Sequence, residues 1–401
     1  MLVNTGVARE LESLLAESVE HAVQRERTTF DATARGTGGI VLVGIGGLGR
    51  RVLRALREVG VEPLALADNG ARLQGTSVEG HEVLSVPEAV RRHGARATFV
   101  VTIWGAGSTH RFAATRTQLE SLGASAVSAF PPLLWKHPAT ALPHYCQDLP
   151  HRVLEQSEQV RRGLDVWSDE SSRREYLSQV RLRLLADFDG LAHPVAHPQY
   201  FPTDLFEYGP AECFVDCGAF DGDTIRTLLE RHGPAIDRIV ALEPDPVNVA
   251  VLERYASTLR LPAGVEVLPL AAGAARGRAF IETTGTASSA LAASAVDGTA
   301  GIDLAPLDEL LEHERPTFIK MDIEGAEPDA LRGARATIVR RRPLLAICVY
   351  HLQDHLWSIP LFLRELCDDY DFFLRPHNEE GWDLVCYGVP RERSMARGRR
   401  A

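Results

Sequence analysis

The stretch FVDCGAFDGDT at residues 214–224 predicts a strand, a glycine turn and the start of a helix. Apolar residues lead to Asp216, Gly218 and Gly222 bracket the turn, and Asp223 can cap the helix that follows. Glycines let a backbone approach a ligand closely, and the first turn of a helix offers unpaired N–H groups to an anion. Because the spacing is not GxGxxG, a pyrophosphate is not the expected anion, whereas a carboxylate fits the turn.

The next predicted strand ends in ALEPDP at residues 241–246, with Glu243 at its last position. A carboxylate at this place can accept hydrogen bonds from both hydroxyls of a ribose, and Pro244 stops the strand directly after it. A carboxylate-binding turn followed by a ribose-binding acid describes S-adenosylmethionine better than NAD. The alternative is an ordinary glycine turn with an unrelated acid at the end of a strand.

Predicted strands and helices alternate from residue 212, and DFFLRPHNEEGWDLVCYGV at 371–389 is typical of a closing β-hairpin. This alternation predicts a doubly wound, mostly parallel sheet. Within it, TFIKMDIEG at 317–325 leads straight into a helix, so we expect an interior strand covered on both faces. The alternative is a solvated edge strand on which Lys320 pairs with an acid.

Three charged residues, Lys320, Asp322 and Glu324, alternate with apolar residues in this stretch and would share one face of a strand. Buried charges are costly unless they lie at the carboxyl end of the strand, where such sheets bind ligands. Two residues along a strand span about 7 Å, so both acids can face one ligand or one cation. His351 ends the next predicted strand and should open on the same crevice, and its spacing to His355 would suit a metal on a helix.

Several segments together resemble one enzyme family. They are QYFPTDLF (199–206), CFVDCGAFDGDT (213–224), ALEPDP (241–246), FIKMDIEGAEPDALRGA (318–334) and RPLLAICVYH (342–351). The set is similar to the FkbM family of S-adenosylmethionine-dependent methyltransferases, from about residue 199 to residue 388. The resemblance implies a class I methyltransferase fold and, usually, O-methylation of a hydroxyl on a sugar or a secondary metabolite.

The resemblance also implies roles for individual positions. The implied cofactor-binding residues are Asp216, Gly218, Ala219, Gly222, Asp223, Glu243, Pro244, Asp245, Ala272 and Asp322. Asp322 would lie near the sulfonium and the acceptor, and Asp322 and His351 are the candidate bases, with Glu324 and Lys320 in support. A divalent cation held by Asp322, Glu324 and His351 is a metal-assisted variant that we do not expect, because a histidine at the end of a strand is more often structural.

The composition limits the remaining classes of function. The chain has 401 residues and a net charge of −11, which argues against a general nucleic-acid or membrane binder. No apolar stretch approaches the length of a membrane span, and the first residues lack a signal-peptide core, so we expect a cytoplasmic protein. Only Lys136 and Lys320 are lysines among 43 basic residues, which is typical of a GC-rich bacterial genome.

A second glycine loop lies in the N-terminal half. VGIGGLG contains a genuine GxGxxG at Gly44, Gly46 and Gly49, and Asp68 ends the following strand. Taken alone, this is the better dinucleotide fingerprint of the two. It leaves open an NAD(P)-dependent oxidoreductase, or a non-catalytic nucleotide-binding scaffold. The Tyr-x-x-x-Lys of short-chain dehydrogenases is absent, since Lys136 has no tyrosine four residues before it.

The sequence as a whole predicts an α/β protein with two Rossmann-like domains, the second with a class I methyltransferase fold. The predicted divisions are an N-terminal helix (1–35), a Rossmann-like domain (36–148), a helical connector (149–198), an FkbM-type methyltransferase domain (199–390) and a basic disordered tail (391–401). The expected partner is a small-molecule or sugar hydroxyl acceptor. The sequence does not indicate the acceptor's identity or the oligomeric state.

Overall fold

The computed structural model describes residues 4–35, 38–105, 107–138, 141–282, 291–292 and 299–395. The helices are α1 Asn4–Leu14, α2 Val19–Ala34, α3 Gly47–Glu58, α4 Val86–His93, α5 Phe112–Ser121, α6 Phe130–Lys136, α7 Pro150–Glu155, α8 Ser157–Leu164, α9 Glu170–Leu185, α10 Asp223–His232, α11 Pro246–Ala256, α12 Leu307–Leu310, α13 Glu327–Arg332, α14 Arg335–Arg341 and α15 His355–Leu366. The strands are β1 Ile40–Val43, β2 Ala65–Asp68, β3 Ser77–Val78, β4 His81–Ser85, β5 Thr98–Val101, β6 Ala126–Ala129, β7 Glu212–Cys217, β8 Ile236–Leu242, β9 Val265–Leu268, β10 Ala271–Ala272, β11 Gly277–Glu282, β12 Leu291–Ala292, β13 Thr299–Ala305, β14 Phe318–Met321, β15 Leu344–Cys348, β16 Tyr370–Pro376 and β17 Leu384–Pro390.

The N-terminal half contains a six-stranded sheet in the order β3-β4-β2-β1-β5-β6. All of its pairs are parallel except the edge pair of β3 and β4. β1 and β5 are buried at every residue, as expected for strands covered by helices on both faces. The chain order reverses at β1, so the crevice between the carboxyl ends of β1 and β5 is the place where such sheets bind ligands.

The C-terminal half contains a seven-stranded sheet in the order β16-β17-β15-β14-β7-β8-β9. The strands from β15 to β9 pair in parallel, whereas β17 pairs antiparallel with both β15 and β16. The mostly parallel sheet and its closing hairpin are therefore confirmed. β14 lies between β7 and β15, so the prediction of an interior strand is confirmed and the edge-strand alternative is wrong.

The connector helices pack against the hairpin edge of this sheet. Ser168 N donates to Phe372 O at 2.8 Å, and the Ser172 hydroxyl accepts from Leu374 N at 2.9 Å, so the start of α9 satisfies backbone groups of the edge strand β16. An exposed strand edge would otherwise offer unpaired N–H and C=O groups to another chain. The connector thus covers the edge that the hairpin leaves open.

Two predictions about the termini are wrong. The N-terminal segment forms two helices, α1 and α2, because Ser18 begins a new helix and accepts a hydrogen bond from His21 N at 3.3 Å. Residues 391–395 are packed on the C-terminal half and are not a disordered tail: Arg393 pairs with buried Glu212, and Met395 N donates to Leu205 O at 3.0 Å. Residues 396–401 lie outside the described part of the chain. Among the described residues, no helix has the length and apolar character needed to cross a membrane.

Candidate active site

A cavity of about 490 Å³ opens at the carboxyl ends of the parallel strands in the C-terminal sheet. One side is formed by the loops after β7, β8 and β9, which contribute Gly218, Phe220, Asp223, Thr224, Thr227, Leu242, Glu243, Pro244, Asn248, Leu270, Ala271 and Ala272. The other side is formed around β14, β15 and β17 by Tyr145, Pro198, Gln199, Tyr200, Phe201, Lys320, Asp322, Ile323, Glu324, Ala326, Tyr350, Trp382 and Asp383. The cavity lies where a doubly wound sheet binds its ligands.

Gly218 brings the first turn into close contact with the end of β14. Its φ is +81°, and an added Cβ would lie 2.0 Å from the carbonyl oxygen of Asp322. Only glycine fits both the backbone conformation and the space at this position. The turn therefore packs directly against the strand that carries Asp322.

Glu243 ends β8 and fixes the loop after β7. Its carboxylate accepts hydrogen bonds from Phe220 N at 2.8 Å and from Asp245 N at 3.0 Å, and Asn248 donates from 3.4 Å. Burial raises the pKa of Glu243 above its ordinary value. Oε1 accepts two of these bonds and Oε2 accepts one, so a lone pair of Oε2 is left to accept a hydrogen bond from a hydroxyl of a bound ribose.

The predicted cofactor residues fall into two groups. Those that line the cavity are Gly218, Asp223, Glu243, Pro244, Ala272 and Asp322. The others, Asp216, Ala219, Gly222 and Asp245, lie behind the wall, so their direct contact with a ligand is not supported. Asp245 instead caps α11 by accepting from Val247 N at 2.8 Å, and Gly222 precedes α10, where an added Cβ would meet the Tyr255 ring at 2.7 Å.

Lys320 forms a buried ion pair with Asp216, not with the acids beside it in the sequence. Its Nζ lies 2.9 Å from Asp216 Oδ1 and donates to Gly218 O at 2.7 Å, and it sits 5.3 Å from the centre of the Tyr200 ring. Burial raises the pKa of Asp216 to about 6, so the group is still a carboxylate at neutral pH. Burial alone would lower the pKa of Lys320, but the negative charge of Asp216 raises it above the usual range. Lys320 thus supports the glycine turn as a fixed ammonium group.

Asp322 lines the cavity and forms a chain of charges with His351 and Glu327, which lie behind it. His351 Nε2 lies 3.1 Å from Asp322 Oδ1, and its Nδ1 lies 2.8 Å from Glu327 Oε1. Burial opposes a charged ring, but the two carboxylates raise the pKa of His351 well above its ordinary value, and the ring in turn helps to hold the pKa of both acids below theirs. His351 is therefore an imidazolium, with only 3% of its surface exposed. Its predicted role as a base is not supported, because it already carries the proton and does not line the cavity.

The geometry changes the predicted metal set. Among the described residues, the carboxylate and imidazole atoms close enough to share an ion belong to Asp322, Glu327 and His351, so Glu324 is replaced by Glu327. The two acids approach opposite nitrogens of one ring, and an imidazolium in that position already offsets one of their two negative charges. The His351 and His355 pair is not on one helix face, because α15 begins at His355.

Glu324 reaches the cavity from a turn and not from a strand. β14 ends at Met321, and Glu324 and Gly325 have φ values of +53° and +103°. The prediction that both acids project from one strand face is therefore wrong, although both do line the cavity. Burial raises the pKa of Glu324 to about 7, and a hydrogen bond from the Tyr145 side chain opposes that rise.

Several residues of the site were not among the predicted ones. Tyr200 donates its hydroxyl to Asp322 Oδ2 at 2.6 Å, so both oxygens of Asp322 have a neighbour that favours the charged form. Tyr200 lies in the quoted segment QYFPTDLF, but nothing in its spacing indicated this contact. Tyr145, Trp382 and Asp383 come from distant parts of the chain, and a sequence pattern offers no signal for them.

The first glycine loop has the expected geometry on its own sheet. Gly46 caps the start of α3, and Asp68 at the end of β2 accepts hydrogen bonds from Ile45 N and Gly70 N, both at 2.7 Å. Thr102, after β5, donates its hydroxyl to Gly44 O at 2.6 Å. The loop is well ordered by these bonds, and nucleotide binding at it stays a prediction.

The C-terminal sheet and its cavity define an α/β protein with a candidate ligand site over a glycine turn and a strand-end carboxylate. The family model described as the Methyltransferase FkbM domain matches residues 216–374, so this part of the chain is an FkbM methyltransferase domain, which supports a methyltransferase. The matched region contains Glu243, Lys320, Asp322 and His351.

A solved structure has the same fold. The crystal structure of methyltransferase FkbM from Methylobacillus flagellatus KT superposes with a TM-score of 0.77 and 21% sequence identity, covering 96% of this chain and 99% of that one. The shared fold thus extends over both halves. UDP-D-quinovosamine 4-dehydrogenase from Vibrio fischeri aligns at 17% identity over 22% of this chain and 75% of its own, with a TM-score of 0.20, too low to indicate a common fold. No curated protein matches the chain.

Proposed function

We propose that the protein transfers the methyl group of S-adenosylmethionine to a hydroxyl of a small molecule or sugar. The observation that carries the proposal is the single cavity into which Gly218, Glu243 and Asp322 all open. Glu243 is placed to accept from a ribose, and the N-terminus of α10 beside the glycine turn is placed to receive the carboxylate of the methionine portion. The acceptor would then bind on the side of the cavity that contains Asp322.

The bound donor supplies an already activated methyl group, so the protein must mainly align the acceptor oxygen and exclude water. Asp322 is suited to the alignment, because Tyr200 and His351 hold its two oxygens and keep it ionised. Its carboxylate can accept a hydrogen bond from the acceptor hydroxyl and take the proton late, as the new carbon–oxygen bond forms. A weakly basic carboxylate is sufficient at that stage, because an oxygen that has gained a methyl group is a strong acid.

The ion pair of Lys320 and Asp216 has a supporting role in this mechanism. It holds the backbone of the glycine turn through the Gly218 carbonyl, and it faces the cavity only through the lysine. No step requires a divalent cation, since the positive charge beside Asp322 comes from His351. We therefore expect turnover to continue in the presence of a chelator.

Calorimetry tests the proposal directly. S-adenosylhomocysteine should bind the purified chain. NADH should bind the unmodified chain no more tightly than it binds the variant Glu243→Ala, because the C-terminal cavity does not hold it. Once an acceptor is found, Asp322→Asn should lower kcat by about 100-fold, with S-adenosylhomocysteine affinity retained. Absence of S-adenosylhomocysteine binding would refute the function, and full activity of Asp322→Asn would refute the assigned role of that residue.

A further inference from the structure

The acceptor side of the cavity is built by both halves of the chain. Tyr145 comes from the N-terminal half and stacks against Tyr350, with ring centres 6.3 Å apart and planes 16° apart. Trp382 contacts both rings, at 4.4 Å from Tyr145 and 5.5 Å from Tyr350. These three rings, which we call the aromatic wall, lie on the same side of the cavity as Glu324 and Asp383.

Glu324 and Asp383 have no cationic partner among the described residues. Glu324 receives a hydrogen bond from the Tyr145 side chain, and Asp383 receives hydrogen bonds from Asn378 and the Tyr350 side chain. The nearby cations are already used, because Lys320 pairs with Asp216 and His351 lies between Asp322 and Glu327. Two carboxylates therefore face an enclosed space with only neutral hydrogen-bond donors.

The titration of these groups agrees with an uncompensated charge. Burial, together with the charges of Asp322 and Glu327, raises the pKa of Glu324 to about 7 against the opposing charge of His351. Burial and the charge of Asp322 also raise the pKa of Asp383. A cation bound between the two would offset both contributions.

The wall also holds an unused hydrogen-bond donor. Trp382 is only 4% exposed, and its indole N–H has no partner among the described residues. A buried donor of this kind is costly unless a ligand or water satisfies it. The site combines rings that can lie against a cation, two carboxylates without a cationic partner and one unpaired donor. This set matches a ligand that carries a positive charge next to a hydroxyl oxygen.

We propose that the acceptor carries a positively charged amine, which binds between the aromatic wall and the carboxylates of Glu324 and Asp383. The inference rests on the proposed function, because it concerns the acceptor half of the same cavity. The sulfonium of the methyl donor does not account for the site. His351 carries one positive charge and therefore offsets only one of the two acids beside it, Asp322 and Glu327. The other of these two acids, together with Glu324 and Asp383, leaves three negative charges without a cation. The sulfonium supplies only one positive charge.

The test uses two probes of the same shape, choline and its neutral isostere 3,3-dimethyl-1-butanol, each with one hydroxyl. The protein is first saturated with sinefungin, an analogue with a protonated amine in place of the sulfonium methyl, so that the charge of the donor is already present. Calorimetry at pH 8 should then show that choline binds at least about tenfold more tightly than the alcohol. Glu324→Gln and Asp383→Asn should each reduce the ratio, and the double variant should bring it close to one.

The matched control is Glu230→Gln, which removes an exposed carboxylate on α10 and should leave the ratio unchanged. Equal binding of the two probes, no binding of either at millimolar concentration, or a preference that survives the double variant would each overturn the inference. Circular dichroism of every variant excludes loss of folding as the cause. If sinefungin itself fails to bind, the proposed function fails, and that result is separate from the comparison of the probes.

Discussion

The two glycine loops of this protein have nearly the same local hydrogen bonds and different surroundings. In the first, Asp68 at the end of β2 accepts from Ile45 N in the loop after β1. In the second, Glu243 at the end of β8 accepts from Phe220 N in the loop after β7. A strand-end acid therefore ties down the preceding loop in both halves, whether or not the acid also contacts a ligand.

The difference lies in the neighbouring strand ends. Beyond the first loop, the Ile103 side chain packs so closely that a Cβ on Gly44 would meet it at 2.2 Å. The adjacent Trp104 docks on the other half, with its ring 4.7 Å from that of Trp382 and its indole donating to Glu380 O at 3.0 Å. Beyond the second loop, Asp322 and Glu324 line an open cavity.

The comparison shows why the better dinucleotide fingerprint does not identify the candidate active site. The pattern GxGxxG specifies a tight turn, and the second loop forms a tight turn without that pattern. Whether a ligand can enter depends on the residues that the neighbouring strands place above the turn. In the N-terminal half, one of those residues, Trp104, packs against Trp382 of the other half. This contact helps to hold Trp382 in the cavity wall.

The largest expected difference between the halves concerns the two lysines. Lys320→Met leaves Asp216 buried without its partner and should lower the free energy of unfolding by about 3–5 kcal/mol. Lys136→Met breaks an ion pair with Asp31 in which both side chains are partly exposed, and should cost about 1 kcal/mol or less. Urea unfolding of the two variants measures the contrast.

The double variant Lys320→Met with Asp216→Asn should recover part of the lost stability, because no unpaired charge then remains. Equal costs for the two lysine variants would show that the Lys320 pair is not the buried interaction that the structure describes.

The next effect concerns the two strand-end acids. Glu243→Ala should weaken S-adenosylhomocysteine binding by at least about 10-fold, since a hydrogen bond to a charged acceptor is lost. Asp68→Ala removes the equivalent acid of the first loop and should leave that affinity within about twofold. Calorimetry measures the S-adenosylhomocysteine affinity of both variants, and circular dichroism checks that they are folded. Loss of NADH binding in Asp68→Ala, with no binding of S-adenosylhomocysteine to either protein, would instead favour the oxidoreductase alternative.

The smallest effect tests the contact between the halves at Tyr145. Its hydrogen bond favours the ionised form of Glu324, so Tyr145→Phe should raise the pKa of Glu324 above about 7. Choline binding strengthens as Glu324 loses its proton, and the midpoint of that pH dependence should therefore move up by about half a pH unit or more. Titrations between pH 6 and pH 9 measure it, with Tyr255→Phe as a control outside the cavity. A midpoint that stays in place or moves down would show that Tyr145 does not act on Glu324.

Much of the fold could be predicted because it depends on local patterns. Alternating strands and helices predicted the two parallel sheets, and the helix after TFIKMDIEG predicted that β14 is an interior strand. The second glycine turn and Glu243 could be placed at the cavity for the same reason, since parallel strands end on one edge. These features follow from the order of apolar, glycine and acidic residues along short segments.

The partners of the charged residues depended on the tertiary structure. The pattern predicted that Lys320 would neutralise and orient Asp322 and Glu324. The register of β14 on β7 instead places Lys320 opposite Asp216. The chain also turns at Glu324 instead of continuing as a strand, so Glu327 becomes the acid that meets His351. A sequence alternates in the same way whether or not the strand continues, and the pattern of one segment does not show which residue of a distant segment lies opposite it.

The sequence by itself determined the class of fold, the half that contains the cavity and the acid at the strand end beside the second glycine turn, because each depends on residues that are close together in the chain. Only the tertiary structure decided the chemistry of the opposite side of the cavity. There, Tyr145 from one half and Tyr350 and Trp382 from the other meet around Glu324 and Asp383. The physical reason is that a cavity takes its charge and shape from side chains that only the packing of the two halves brings together.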